Sequence, residues 1–446
     1  VLECVRNAVG GEYPIIFRIS ADEFIEGGRG LEESIEICKI LAKNGVDVLH
    51  ITAGNGYSLE KQIEPMFAEE GWRVYLSAQI KRNVNIPVIT VGTIRHPEFA
   101  ENILKEGKAD FIAIGRGLIA DPEWPLKAYY GVTERIRPCI NCNLGCAKNR
   151  IFGDIPIRCT VNPEAGRELV YRVKKAESSK KVLVIGGGPA GMTASLYASK
   201  RGHEVILVEE EGSLGGQLKL AKVPPGKQKI GWFMEYLIRE IERSNIKLLL
   251  NTKASMEIVD QIAPDAVIIA TGSKPIVPRI EGVEEESVVL AHDVLRKNMK
   301  FDSKKVIVAG GGLVGCEVAL YLAAQGSCVT IVEMLSEIAR DVDPIYRTIL
   351  LQELGQLGVE VKTNAIITKV GPTGGVWIKN ANNKNENEEE RLPGDVVILA
   401  LGAVPYDPFG NEIENHIPEV YRAGDCVSTG KIIDAVWSGY LAGIQV

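Results

Sequence analysis

Along the first 130 residues, apolar positions fall into two alternating patterns. Short β-rich runs at Tyr13 to Ser20, Val46 to Thr52, Ile86 to Gly92 and Ala109 to Gly115 predict parallel strands. Between them Leu31 to Asn44, Glu69 to Arg82 and Pro97 to Glu106 carry apolar residues three and four apart, the spacing of a helix with one buried face. Pro97 suits a first helical position, where a missing amide costs no hydrogen bond. The result is four βα units. Arg137 to Arg167 is strand-poor, and the charged run Lys174 to Lys181 (KKAESSKK) marks a boundary. Beyond it comes an internal repeat: the strand Lys181 to Ile185 runs into a glycine turn and a helix, and Val306 to Ala309 does the same. Late in each copy a further strand ends in a small-residue turn, Ala270-Thr271-Gly272 and Ala400-Leu401-Gly402. The polar run Asn380 to Glu390 predicts a solvated hairpin loop without chemistry.

The two turns read Gly186-Gly187-Gly188-Pro189-Ala190-Gly191 and Gly310-Gly311-Gly312-Leu313-Val314-Gly315. In such a G-x-G-x-x-G turn the first glycine allows the bend and the second lets backbone amides approach a pyrophosphate. The third lets the helix pack on the strand. Unpaired amides at the helix start, with the positive dipole end, then favour the phosphates. Glu209 and Glu333 each close the next strand 23 residues after the first glycine, where a carboxylate accepts hydrogen bonds from ribose hydroxyls. Strand, turn, helix and acid occur twice at one spacing, so two dinucleotide sites are expected. A carboxylate at Glu333 repels a 2'-phosphate and so favours NADH over NADPH.

A chain of 446 residues is too long for one core, and two to four domains are expected. The net charge of -7 offers no basic surface to nucleic acid or anionic lipid, so a small-molecule substrate fits better. No apolar run is long enough to span a bilayer, and the start resembles no signal peptide, so the expectation is no membrane and a cytoplasmic location. Oligomeric state is left open between monomer and homo-oligomer. Of nine cysteines, four crowd into 21 residues as Cys139-x2-Cys142-x3-Cys146-x12-Cys159. Four thiolates can hold a [4Fe-4S] cluster or a tetrahedral zinc. Zinc has no redox role in a chain built for hydride chemistry, which favours the cluster. Cys4, Cys38, Cys316, Cys328 and Cys426 read as small core residues.

Glycines also follow two of the early strands, Gly92-Thr93 and Gly115-Arg116-Gly117, the second with a cation. In a (β/α)8 barrel a phosphate commonly sits in the loops after strands seven and eight. The runs Ile86 to Gly92 and Ala109 to Gly115 are then those strands, which implies that the first half of a barrel is absent from this chain. A complete flavodoxin-like domain of four or five strands is the alternative.

With Gly215-Gly216-Gln217 and the late Gly424-Asp425, the repeat resembles the two-dinucleotide flavoprotein disulfide reductases and their relatives. That resemblance implies FAD at Gly186, Gly188, Gly191, Glu209, Gly216, Gln217, Thr271, Gly272, Gly424 and Asp425. It implies NADH at Gly310, Gly312, Gly315, Glu333 and Gly402. All the parts in this order resemble the iron-sulfur members of the old yellow enzyme family, which include 2,4-dienoyl-CoA reductase, enoate reductase and trimethylamine dehydrogenase. The implied fold is α/β: half a (β/α)8 barrel with FMN at residues 1–135 and an iron-sulfur segment at 136–175. An FAD domain follows at 179–300 plus 396–446, with an NADH domain at 303–395 inserted in it. By the same resemblance Arg18, Gly92, Gly115 and Arg116 hold FMN, and Cys139, Cys142, Cys146 and Cys159 hold the cluster. The implied activity is an NADH-dependent ene-reductase, with electrons running from NADH to FAD, [4Fe-4S], FMN and an activated C=C bond such as an enoate or 2,4-dienoyl-CoA. An amine dehydrogenase and a non-catalytic electron-transfer subunit or fragment are the alternatives. The proton donor is not identified, and Tyr57 is taken as a stand-in.

Overall fold

In a computed structural model that describes residues 1–382 and 389–446, the four early β-rich runs become β1 (Ile16–Ser20), β2 (Val48–Thr52), β3 (Val88–Val91) and β4 (Phe111–Ala113). They form one parallel sheet in the order β1-β2-β3-β4, within a unit spanning Val1–Ala165. Strand order that follows chain order is the succession of a (β/α)8 barrel. A flavodoxin-like sheet reverses after its first crossover, so that alternative falls away. Helices Leu31–Lys43, Val74–Lys81 and Pro97–Lys105 connect the strands. The second helix starts five residues later than the apolar spacing suggests. Gly71 sits at φ +68 with the Phe99 ring 2.3 Å from where a Cβ would stand, a conformation that cannot begin a helix. A short helix Leu2–Val9, not foreseen, precedes the sheet.

The period of two sorts the side chains of this sheet. Ile19, Leu49, Ile51 and Val88 face Cys38, Leu76 and Ile80 in the core. The register aligns Arg18 with His50 and His50 with Ile89 on the opposite face. Between β4 and the end of this unit the described chain has no strand. It holds a π-helix, Leu144–Phe152, that carries Cys146.

The unit Gly166–Val446 contains the repeat. Its first sheet joins β5 (Lys181–Ile185), β6 (Glu204–Val208), β7 (Lys247–Leu249), β8 (Ala266–Ile269) and β19 (Glu419–Arg422) in the parallel order β19-β8-β5-β6-β7. After β8 the chain passes through β9 (Ser273–Pro275) into β10 (Val288–Leu290), β11 (Lys305–Ala309), β12 (Cys328–Val332) and β13 (Glu360–Lys362). An antiparallel sheet, β14 (Ala365–Val370), β15 (Val376–Asn380) and β16 (Glu390–Leu392), comes before β17 (Val396–Leu399). The second parallel sheet is ordered β10-β17-β11-β12-β13. Its last four strands, β17-β11-β12-β13, repeat β8-β5-β6-β7 of the first sheet position for position. The chain returns through β18 (Ala403–Pro405), which pairs antiparallel with β9, so exit and re-entry run side by side. Within the expected hairpin loop at 380–390, residues 383–388 lie outside the described residues.

Among the described residues no helix is long and apolar enough to cross a membrane. Three of the five remaining cysteines, Cys38, Cys316 and Cys426, are buried as expected. Cys4 and Cys328 are exposed and are not core residues. Cys4 lies on a surface helix with no buried residue, and Cys328 opens β12 at its solvent end.

Candidate functional sites

Both glycine turns adopt one geometry. Gly186 and Gly310 each sit at φ +104, and a Cβ there would stand 2.4 and 2.5 Å from the carbonyls of Ala270 and Ala400. A Cβ on Gly191 would lie 1.8 Å from the Gly186 carbonyl, and one on Gly315 1.9 Å from that of Gly310, so only glycine lets each helix approach its strand. The middle glycines are different. Nothing of the protein comes nearer than 4.0 Å to a Cβ on Gly188 or 3.9 Å on Gly312. That open space is what a backbone cradle for a pyrophosphate requires. Glu209 and Glu333 are both buried. Each accepts a 2.6 Å hydrogen bond from the amide of Gly187 or Gly311, and a second of 2.8 Å from Glu211 or Leu335. The carboxylates are thus oriented beside the turns with acceptor capacity left for ribose hydroxyls.

The first copy gathers further polar groups. Gln217 donates to the Ser273 hydroxyl at 3.0 Å, and Ser273 donates to Asp425 at 3.3 Å. The Gly430 amide donates to the other Asp425 oxygen at 3.1 Å. Burial pushes the Asp425 carboxyl above its ordinary range. Gly216, at φ +50, packs its α-carbon against Gly188, and Thr271 donates to the Tyr406 carbonyl at 2.5 Å. Gly272, Gly402 and Gly424 also take positive φ at the strand ends that border the two turns. Ser273 was not singled out from sequence, and its place straight after Thr271-Gly272 was the available signal. A second group had none: Lys227 meets Glu317 at 2.5 Å and lies 4.1 Å over the Tyr346 ring, joining segments 90 residues apart in the sequence.

In the other unit Cys139, Cys142, Cys146 and Cys159 line one cavity with Arg116, Asn141, Asn143, Arg158 and Thr160. Burial pushes the Cys142 and Cys159 thiols up to about 12 and raises that of Cys146. Bare thiols so placed resist ionisation, and a metal centre that binds thiolate reverses that preference. Among the described residues no three His, Cys, Asp or Glu side chains converge on a single ion. The four cysteines share the lining of one pocket, and four thiolates are the ligand set of a multi-iron cluster.

Arg116, just past β4, forms one wall of that cavity. Its guanidinium donates to the Glu64 carboxylate at 2.5 Å, to the Glu64 carbonyl at 2.7 Å and to Asn143 Oδ1 at 2.6 Å. Glu64, only 1% exposed, also pairs with Arg73 at 2.9 Å. Arg73 lies across Gly92, at φ +126, so closely that a Cβ there would stand 2.1 Å from its Nε. Arg18 is exposed and makes no ion pair among the described residues. Beside it, burial and then the charges of Arg18 and Arg73 hold the His50 pKa below its ordinary value. Tyr57, in the loop after β2, is 92% exposed.

Comparison with known proteins gives two family matches. The pyridine nucleotide-disulphide oxidoreductase pattern fits residues 180–439, and that of the NADH:flavin oxidoreductase / NADH oxidase family fits residues 1–135. The chain is 49% identical to an NADH oxidase of Thermoanaerobacter brockii, over 100% of this chain and 68% of the relative. It is 35% identical to a cinnamate reductase of Clostridium sporogenes, over 99% and 67%. Among solved structures, a complex of 2-naphthoyl-CoA reductase with 2-naphthoyl-CoA matches with a TM-score of 0.93 at 32% identity, over 100% of this chain and 67% of that one. The chain thus spans about two thirds of the length of these relatives.

Proposed function

Because the chain belongs to the old yellow enzyme family, as an NADH:flavin oxidoreductase joined to a pyridine nucleotide-disulphide oxidoreductase region, we propose that it is an iron-sulfur ene-reductase for α,β-unsaturated carboxylates or their thioesters. It is an oxidoreductase that uses NADH and flavin on unsaturated substrates, and its cofactor set is FMN, FAD, NADH and a [4Fe-4S] cluster. In this reading Gly186, Gly188, Gly191 and Glu209 hold FAD together with Gly216, Gln217, Thr271, Gly272, Gly424 and Asp425. Gly310, Gly312, Gly315, Glu333 and Gly402 hold NADH. Arg18, Gly92, Gly115 and Arg116 hold FMN, and the four cysteines of the cavity hold the cluster. Bound there, NADH and FAD supply hydride exchange, the cluster one-electron transfer, and FMN the hydride for an activated C=C bond.

The residues do the positioning. Glu333 faces the second turn with no following cation to accept a 2'-phosphate, so it selects NADH. Arg18, standing free on the open face of β1, supplies a cation that stabilises negative charge developing on a reduced flavin. Arg116 uses three of the five N–H groups of a guanidinium on Glu64 and Asn143, which leaves two for a phosphate.

One observation supports the reading: the wall of the four-thiol cavity includes Arg116, which stands just past β4 in the loop proposed here to hold the FMN phosphate. Anaerobic stopped-flow mixing with NADH tests it. Flavin absorbance is expected to bleach quickly and to recover when cinnamate or a similar enoate is added. Protein that stays yellow with NADH, or that bleaches with an amine in its place, sinks the ene-reductase assignment.

A further inference from the structure

Glu64 belongs to none of the sequence patterns, yet it is a carboxylate only 1% exposed, held between two guanidiniums. Its Oε1 meets Arg73 at 2.9 Å and takes a 3.3 Å hydrogen bond from the Trp72 indole. Its Oε2 meets Arg116 at 2.5 Å. Each arginine is then tied elsewhere. Arg73 donates to the Val91 carbonyl at 2.8 Å and to that of Lys61 at 3.2 Å, which fixes it over Gly92. Arg116 reaches Asn143 at 2.6 Å, and the Asn143 amide group returns to the Glu64 carbonyl at 3.3 Å. Asn143 stands at φ +59 between Cys142 and Cys146. One buried anion therefore connects the glycine after β3, the arginine after β4 and the loop between two cysteines.

A lone ion pair would leave this region neutral. Two arginines on one carboxylate leave one positive charge in excess, and Arg18 adds to it from β1. Without the anion the two guanidiniums would repel each other, and Arg116 would lose its carboxylate anchor. The geometry points to Glu64 as the positioning residue that makes Arg116 a cation shared between the FMN phosphate loop and the cluster loop. This rests on the cofactor placement proposed above and adds a residue and a role to it. Glu64 is not a ligand of either group. It acts through Arg116, and Asn143 is the arm by which that charge is held against the cluster.

The test uses intact protein isolated anaerobically, with iron, sulfide and FMN content measured first. EPR-monitored redox titration then gives the cluster midpoint potential, and fluorescence gives the FMN dissociation constant. Glu64→Gln releases Arg116 from both loops, so the cluster potential is expected to fall as the cation leaves and FMN binding to weaken by about 10-fold or more, whereas loss of the negative charge alone would raise the potential. Asn143→Ala keeps every charge but frees Arg116 from the cluster loop. The potential is expected to fall, with FMN affinity near wild type. If Glu64→Gln does not fold, the Asn143→Ala result decides by itself. Wild-type potentials in both variants, or a rise in Glu64→Gln, overturn the shared-cation role while iron and FMN remain bound. A wild-type protein that carries neither iron nor FMN overturns the cofactor placement and this role with it.

Discussion

His50 and His96 show how two residues of one type acquire opposite behaviour from their neighbours. His50 loses water and faces Arg18 and Arg73, so its pKa falls below the ordinary 6.5. His96 gains a 2.6 Å hydrogen bond to Glu70, which raises its pKa despite partial burial. The signs follow from linkage. For His50 the unfolded chain binds the proton more readily, so its stabilising contribution is complete above 6.5 and is lost as pH falls towards the folded value. For His96 the contribution is complete below 6.5 and is lost as pH rises through the folded value. NMR titration of the imidazoles, assigned with His50→Gln and His96→Gln, is expected to show the His50 inflection below 6.5 and the His96 inflection above it. The reverse order would contradict the placement of both side chains. Neither setting was legible from sequence, because Arg73 and Glu70 reach these histidines across loops whose course the chain pattern does not specify.

At the scale of elements, the two glycine turns are equivalent in backbone and separable by mutation. Gly191→Ala and Gly315→Ala each place a methyl within 2 Å of a carbonyl oxygen, 1.8 and 1.9 Å, so the helix must move from its strand. Gly191→Ala is expected to strip FAD on desalting, and Gly315→Ala to retain FAD while weakening NADH binding about tenfold or more. FAD absorbance and NADH titration measure the two. Equal loss of FAD from both variants would show that the copies do not divide the ligands as assigned. These turns were fully legible, since a strand, three glycines, a helix and a distant acid are local in sequence. Helix and strand ends were not. The helix foreseen from Glu69 begins at Val74 because the Phe99 ring and a left-handed Gly71 occupy its first turn. The exposed Cys328 was misread as core for a related reason: alternation tells which face a residue takes but not where the sheet meets solvent.

For the whole molecule, the thiol cavity and the glycine turns lie in separate units, Val1–Ala165 and Gly166–Val446. Replacing one thiol should therefore leave the dinucleotide sites intact. Cys159→Ser is expected to lose most of the iron and sulfide by chemical analysis, yet to keep FAD and its bleaching by NADH. Loss of FAD together with iron would contradict that independence. The sequence by itself determined the order of parts: a parallel βα sheet, four clustered cysteines, and two matched dinucleotide turns. Each is encoded by residues close together in the chain, where spacing and periodicity carry the information. Tertiary structure alone decided what meets what. Glu64, between Arg73 and Arg116, and Lys227 over the Tyr346 ring belong to no local pattern. Charges can be buried only where partners from distant segments converge, and that convergence exists only once the chain has folded.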